Sequence, residues 1–347
     1  MPDDFFRHHI LSLGNDGRLT GLGQFPTTDD DIDAAIQHML ALTKSWKTRR
    51  IMLYAHGGTV REAEAVVWAQ AQQDYFLRQE IYPFFFVWHS DPLSSAINAV
   101  KDFIKDKLDD FFFESAGEPN ALNILIEKAA HAVRGLTWSQ MKQNALMASA
   151  DKHGGAYKLA VRLHEAMGQH KNIELNLAGH SAGGVFHATL AQLIASTGRI
   201  TARPALDLMG LGLPLKTVTL WAPGCTTGAF RTHYLPYIQS GTIERFTLFT
   251  LTDDLERAEA TRMSDHPALA WAKYQGSILY LVANGFEDAP PDPILGMAKY
   301  VQDEVHAVLQ GKHAWIVSGD ARCGAQTHTL FDDDKATLKT TVALIQS

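Results

Sequence analysis

One stretch of this chain has the residue types and spacing for covalent catalysis: Gly179-His180-Ser181-Ala182-Gly183. It follows an apolar run carrying Ile173, Leu175, Leu177 and Ala178, and it opens a helical pattern with Val185, Phe186, Thr189 and Leu190. Strand, tight turn and helix put Ser181 at an apex. The outer positions of such a G-x-S-x-G turn are glycine because strand and helix pass too close for a Cβ. The turn strains the serine backbone, exposes its Oγ and points the N–H of Ala182 the same way. A serine hydroxyl is a weak nucleophile until a base takes its proton and an acid orients that base. In a parallel α/β sheet the loops after the strands gather on one edge, so the partners belong in strand-end loops. Asp253 and Asp254 follow the apolar run Arg245–Leu251, and His328 follows the last one, Ala314–Val317. Of the acidic doublet, Asp253 lies nearer the strand end and is preferred; Asp254 reaches in if the strand runs one residue longer. A tetrahedral intermediate also needs two N–H donors. Ala182 offers one. The His56-Gly57-Gly58-Thr59 turn offers the other, from Gly58, with Gly57 or Thr59 as alternatives.

These residues need a scaffold that brings distant strand ends together, and the hydrophobic pattern describes one. Residues 5–25 alternate around Gly14-Asn15-Asp16-Gly17 and read as a hairpin. Thr27 to Asp31 then cap a helix with Ile32, Ala35, Ile36, Met39 and Leu40 on one face; the acidic run suits the positive end of the helix dipole. Short continuous apolar runs at Ile51–Ala55 and Pro83–Trp88, separated by a helical stretch from Arg61 to Gln79, read as strands buried on both faces. Strand, helix, strand at this spacing means a parallel sheet. The alternation breaks over residues 93–150, where only helical patterns appear (97–113, 121–133 and 138–147). This helical insertion reads as an extra layer on the sheet or as a cap over a cleft. A helix from Gly155 to Met167, strands at 218–222, 245–251 and 314–317, helices at 268–286 and 294–309, and a final helix capped by Asp332-Asp333-Asp334 complete the chain. No repeat or linker divides it, so one domain spans 1–347 with the insertion at 93–150.

The rivals are weaker. Among sixteen histidines, His180 and His187 flank Ser181, but one lies inside the turn and the other in the helix below it. His56 reads as structural in its own turn, and His306 and His313 as exposed or strand-flanking. His89-Ser90-Asp91 is contiguous, and neighbouring side chains on a strand end do not converge. No H-E-x-x-H or histidine–cysteine spacing points to a metal. Cys225 and Cys323 are too few for a disulfide framework and read as buried thiols. Trp88, Trp138, Trp221 and Phe111 to Phe113 are candidates for an acyl pocket or for plain core.

Composition narrows the partners. Of the 347 residues 46% are hydrophobic and 20% charged, enough for a sizeable core in a globular chain. The net charge of −7 carries no basic patch for nucleic acid. No apolar run is long enough for a membrane span, and the acidic start MPDDFFRHHI does not read as a signal peptide. A reducing, cytoplasmic location is the expectation.

Through Tyr54-Ala55-His56-Gly57-Gly58, Gly179-His180-Ser181-Ala182-Gly183, the acid after Leu251 and His328 before the last helix, the chain resembles an α/β-hydrolase over residues 50–345. The resemblance implies a mostly parallel central sheet of about eight strands with an antiparallel start, flanked by helices. It also implies hydrolysis of an ester, thioester or amide without metal or cofactor. The apolar insertion favours a small-molecule carboxylic ester with a hydrophobic acyl group, as a lipase-like esterase would take. An acyltransferase using the same groups is an alternative, as is a non-catalytic protein of this fold that binds a ligand or partner.

Overall fold

The computed structural model describes residues 4–58, 62–88, 97–100, 102, 120–136, 138–200, 208–262 and 273–347. Seven strands form one sheet: β1 (Ile10–Leu13), β2 (Arg49–Ala55), β3 (Ile81–Trp88), β4 (Ile173–His180), β5 (Leu215–Trp221), β6 (Ile243–Thr250) and, after a short antiparallel pair β7 (Ala260–Arg262) and β8 (Lys273–Gln275), β9 (Ala314–Val317). Their order is β1-β3-β2-β4-β5-β6-β9, and every pairing in the sheet is parallel. The longer helices are α1 (Asp29–Leu42), α2 (Glu62–Arg78), α3 (Ala121–Val133), α4 (Trp138–Ala150), α5 (Gly155–Gln169), α6 (Ala182–Ala195) and, near the C-terminus, α9 (Lys335–Gln346). Two shorter ones, α7 (Thr227–His233) and α8 (Asp253–Ala258), follow β5 and β6. This is an α/β architecture.

The central strands are apolar on both sides because helices cover both faces. Phe85 of β3 meets Trp68 of α2 edge-on, with ring centroids 5.9 Å apart. Its neighbour Phe86 points the other way, to Phe186 of α6 at 4.8 Å. Alternation along one strand thus separates two layers. Tyr54 and Trp221 belong to the first layer, where Trp221 Nε1 donates to Thr341 of α9.

The helices form where their caps allow. In α1, Thr28 Oγ1 accepts from the Asp31 N–H while the Asp31 carboxylate accepts from the Thr28 N–H, a reciprocal capping box that accounts for that acidic residue. Within the expected insertion, α3 and α4 lie where the periodicity puts them. Most of the helix expected over 97–113, the run Phe111 to Phe113, Thr59 and His89-Ser90-Asp91 lie outside the described residues.

Three expectations need correction. The first strand is parallel, not antiparallel: Ile10 stands opposite Phe85. The Gly14–Gly17 turn does return the chain, but only to one antiparallel bridge, Leu13 to Leu19, because the Ser12 N–H is taken by Thr27 Oγ1. The helix read at 294–309 is confined to a 3-10 turn at Ala298–Tyr300 and a short helix at Asp303–Val308. Its first residues form a turn between isolated bridges at Ile294 and Met297, with the N–H groups of Leu295 and Gly296 donating to the carbonyls of Cys225 and Pro223. Of the helix read at 268–286, residues 268–272 lie outside the described residues, 273–275 form β8, and Ile278–Phe286 is helical, ending in a π turn. Among the described residues the sheet has seven strands, in keeping with the mostly parallel sheet of about eight that was expected.

The strand order reverses between β2 and β4. From β2 the chain crosses through α2 to β3 on one side; from β4 it crosses through α6 to β5 on the other. A crevice opens outside the C-terminal ends of strands at such a point, and ligands of open α/β sheets bind there.

Candidate functional site

Ser181 stands at that point, at the end of β4. Its φ is +52° and ψ −116°, a region that a residue with a Cβ occupies at a cost of about 1–3 kcal/mol. The turn is held on both sides: the Ser181 N–H donates to the Trp221 carbonyl at 2.9 Å, and its carbonyl accepts from Gly184 and Gly224 at 2.9 and 2.8 Å. The flanking glycines are sterically required. A Cβ on Gly183 would lie 2.1 Å from the Ala55 carbonyl oxygen, and one on Gly179 would lie 2.8 Å from the His187 ring and 3.0 Å from the Gly183 backbone.

His328, in the loop after β9, reaches across the strand ends to place Nε2 2.8 Å from Ser181 Oγ. Both residues are buried, with 3% and 7% of their surface exposed. Burial, reinforced by the neighbouring His180, pushes the His328 pKa well below its ordinary value, so the imidazole is neutral at neutral pH. A neutral ring accepting at Nε2 carries its proton on Nδ1. That atom is buried and has no hydrogen-bond partner among the described residues.

The acidic doublet is not brought to the imidazole. β6 ends at Thr250, and the Thr252 side chain caps α8 by accepting from the Leu255 N–H, so Asp253 and Asp254 fall in the first helical turn. There Asp253 accepts from the Tyr280 hydroxyl and from Arg257 Nε, both at 2.6 Å, while Asp254 is exposed. The carboxylate bonded to residue 328 is Glu259, just past the end of α8: its Oε2 accepts from the His328 backbone N–H at 2.9 Å. Burial raises the Glu259 pKa, and the bond to His328 and the field of His180 act against that rise. The sequence carried a signal for it only in order: Glu259 also lies between Ser181 and His328.

A second group of residues, missed from the sequence, backs this pair. His180 Nδ1 lies 2.8 Å from Asp332 Oδ2, and its Nε2 lies 2.9 Å from the His328 carbonyl oxygen. The Tyr54 hydroxyl donates to Asp332 Oδ1 at 2.6 Å, and Trp68 Nε1 donates to the Asp332 carbonyl at 3.2 Å. Of the run Asp332 to Asp334 only Asp334 caps the last helix, accepting from the Thr337 N–H at 2.9 Å.

The backbone donors lie alongside. Ala182 is the first residue of α6, and the first N–H groups of a helix have no acceptor within it. Gly57 packs directly on the serine: a Cβ there would sit 3.4 Å from Ser181 Cβ and 3.3 Å from His180 Nδ1. Gly58 is buried in the next position of the same turn. His56 fixes that turn, donating from Nδ1 to the Gly57 carbonyl at 2.8 Å and accepting at Nε2 from the Trp88 N–H at 3.4 Å. His187 is packing: its Nε2 donates to the Ala178 carbonyl at 2.8 Å, and burial lowers its pKa to about 4.

Cys225 and Cys323 are free, buried thiols. Among the described residues no group of three or more His, Cys, Asp or Glu side chains is set to hold a metal ion, and no helix is long and apolar enough to cross a membrane. Comparison with protein-family models, with curated proteins and with solved structures finds no match to this chain.

Proposed function

We propose that the chain is a serine hydrolase of the α/β-hydrolase type that cleaves a carboxylic ester through an acyl-Ser181 intermediate. The observation that carries this reading is the 2.8 Å contact between Ser181 Oγ and His328 Nε2 on a serine held at positive φ. A buried neutral imidazole accepting from a strained, apical serine is the arrangement a nucleophile and its base require. The strand order supports the same reading, because the serine, the acid and the histidine follow β4, β6 and β9 in the chain order Ser, acid, His of a nucleophile elbow.

In acylation, Ser181 Oγ bonds to the ester carbonyl carbon as its proton passes to His328 Nε2. The oxyanion is held by the Ala182 N–H and by an N–H of the Gly57-Gly58 turn. The intermediate collapses by breaking the bond to the alcohol oxygen, which takes the proton from Nε2. Water, deprotonated by the same nitrogen, then attacks the acyl carbon and returns Ser181 and a carboxylic acid. We assign the orienting acid to Glu259 in place of Asp253 or Asp254. It is the carboxylate already bonded to residue 328, through the backbone N–H, and in turnover it would turn to accept from the His328 Nδ1–H, which has no partner among the described residues.

The test is labelling by a fluorophosphonate probe of the wild type, Ser181→Ala and His328→Ala, followed by hydrolysis of p-nitrophenyl esters of increasing chain length. Labelling that needs both residues, with turnover that peaks at one acyl length, is the expected result. A folded wild type that neither labels nor turns over any ester of the series would overturn the reading in favour of a binding protein.

A further inference from the structure

His180 precedes Ser181 by one residue, and both of its ring nitrogens face acceptors. Nε2 meets the His328 carbonyl, which can only accept, so Nε2 carries a proton. Nδ1 meets Asp332 Oδ2, and the other oxygen of that carboxylate already accepts from the Tyr54 hydroxyl. An acceptor-only carboxylate on that side requires a proton on Nδ1 as well. We infer that His180 is a doubly protonated imidazolium, ion-paired with Asp332, that positions the His328 loop against Ser181 and keeps the His328 ring neutral. Its protonation state stands on this geometry; its catalytic consequence rests on the hydrolase reading above.

The positioning follows from where the parts are anchored. His180 is the last residue of β4 and cannot move independently of the serine beside it. Its charge-assisted bond to the carbonyl of residue 328 ties the base-bearing loop to the nucleophile's own strand, and such bonds are roughly twice as strong as neutral ones. Asp332 is itself held by Tyr54 of β2 and Trp68 of α2. A displaced C-terminal loop would therefore break this network before it carried His328 away from Ser181.

The electrostatic part follows from proximity. The two imidazole rings are 5.0 Å apart, so a charge on His180 opposes a second charge on His328. The groups acting on His180 and its partner Asp332 are Tyr54 and His56 from β2 and its turn, the His328 carbonyl and Glu259 from the end of α8, while Asp333 of the C-terminal loop acts on Tyr54. Burial opposes charge on His180, yet the charge and hydrogen bond of Asp332, the His328 carbonyl and Glu259 together hold its pKa above the ordinary value. Two imidazoles thus lie side by side: His180, paired through Nδ1 with Asp332, and His328, whose ring is neutral at rest and whose backbone N–H alone is bonded to Glu259.

The experiment combines nitrogen-15 NMR of the histidine side chains with pH profiles of kcat/KM. In the wild type, both His180 ring nitrogens are expected to be protonated at about pH 7, where a free imidazole is mostly neutral. In Asp332→Asn and in His180→Gln the cation is removed, so the acidic limb set by His328 moves up by about one unit. Loss of scaffolding alone would lower kcat without moving that limb. A neutral, singly protonated His180 in the wild type overturns the inference, as does an acidic limb that stays in place in both variants. The NMR arm needs no substitution, so variants that fail to fold leave it decisive. A wild type without esterase activity but with a doubly protonated His180 sinks the hydrolase reading and upholds the charged pair.

Discussion

The backbone of Ser181 sits at φ +52°, a conformation that glycine adopts at little cost and serine does not. Replacing it by glycine should stabilise the fold by about 1 kcal/mol while abolishing probe labelling, whereas Ser181→Ala should abolish labelling without that gain. Equilibrium denaturation in urea reads the difference, and equal midpoints for the two variants would remove the case for stored strain. The acid makes a second residue-level prediction. Glu259→Gln should lower kcat on the order of 10³-fold, while Asp253→Asn and Asp254→Asn stay near wild type; a collapse in Asp253→Asn instead would return the role to the doublet. Ser181 and His328 were legible in the sequence because each follows an unmistakable apolar run. The acid was not, because Thr252 caps α8 immediately after β6 and turns Asp253 towards Tyr280 and Arg257. Glu259 returns to the site only because that helix is short. Asp332 was hidden by its company: three consecutive acids before a helix look like a cap, and only the side-chain geometry separates Asp334, which caps, from Asp332, which meets His180.

At the scale of elements, the site depends on how closely α6 crosses β2. The approach is set by Gly183, where a Cβ would press on the backbone oxygen of Ala55 at 2.1 Å, an atom that no side-chain rotation can move. Gly183→Ala should therefore cost about 3 kcal/mol, while Gly168→Ala in α5, with open space around it, should gain about 0.5–1 kcal/mol. Thermal unfolding of the two variants checks this, and a Gly183→Ala protein as stable as the wild type would mean that the contact relaxes. Strands buried on both faces were easy to read because apolar residues dominate each of them, and six of the seven appear at the apolar runs. The first strand's direction was not readable, since a turn beside it predicts a hairpin equally well. The stretch after Ile294 has helical periodicity, but its backbone N–H groups find carbonyls in the loop after β5, and long-range pairing of this kind leaves no periodic trace. The helix α8 has the opposite character, a local cap overriding nothing, yet it decides which acid reaches His328.

For the whole molecule, the buried titratable groups set opposite slopes on either side of neutrality. Burial lowers His9 to about 3 and His187 and His233 to about 4, all from an ordinary value of 6.5. Their unfolded forms take up protons that the folded forms refuse, so stability falls as pH drops from 6.5 towards those values. Glu256, fully buried with one oxygen bonded to Ser277 and the other without a hydrogen-bond partner among the described residues, is raised by burial from 4.5 to about 8. Here the folded form keeps a proton that the unfolded form loses, so stability falls as pH rises between those two values. His180 adds to that alkaline slope, because its folded pKa is raised: its contribution is complete below 6.5 and is lost as pH climbs through the folded value. Three histidines outweigh one glutamate below 6.5, and above it Glu256 and His180 act together, which puts the stability maximum near pH 6.5. Urea midpoints measured across the range should trace this dome for the wild type. Glu256→Gln should flatten its alkaline side, because a neutral amide of the same shape no longer has to ionise in an apolar site. An alkaline slope unchanged in that variant would mean that Glu256 is already ionised in the folded protein, with a counter-charge close enough to keep it so.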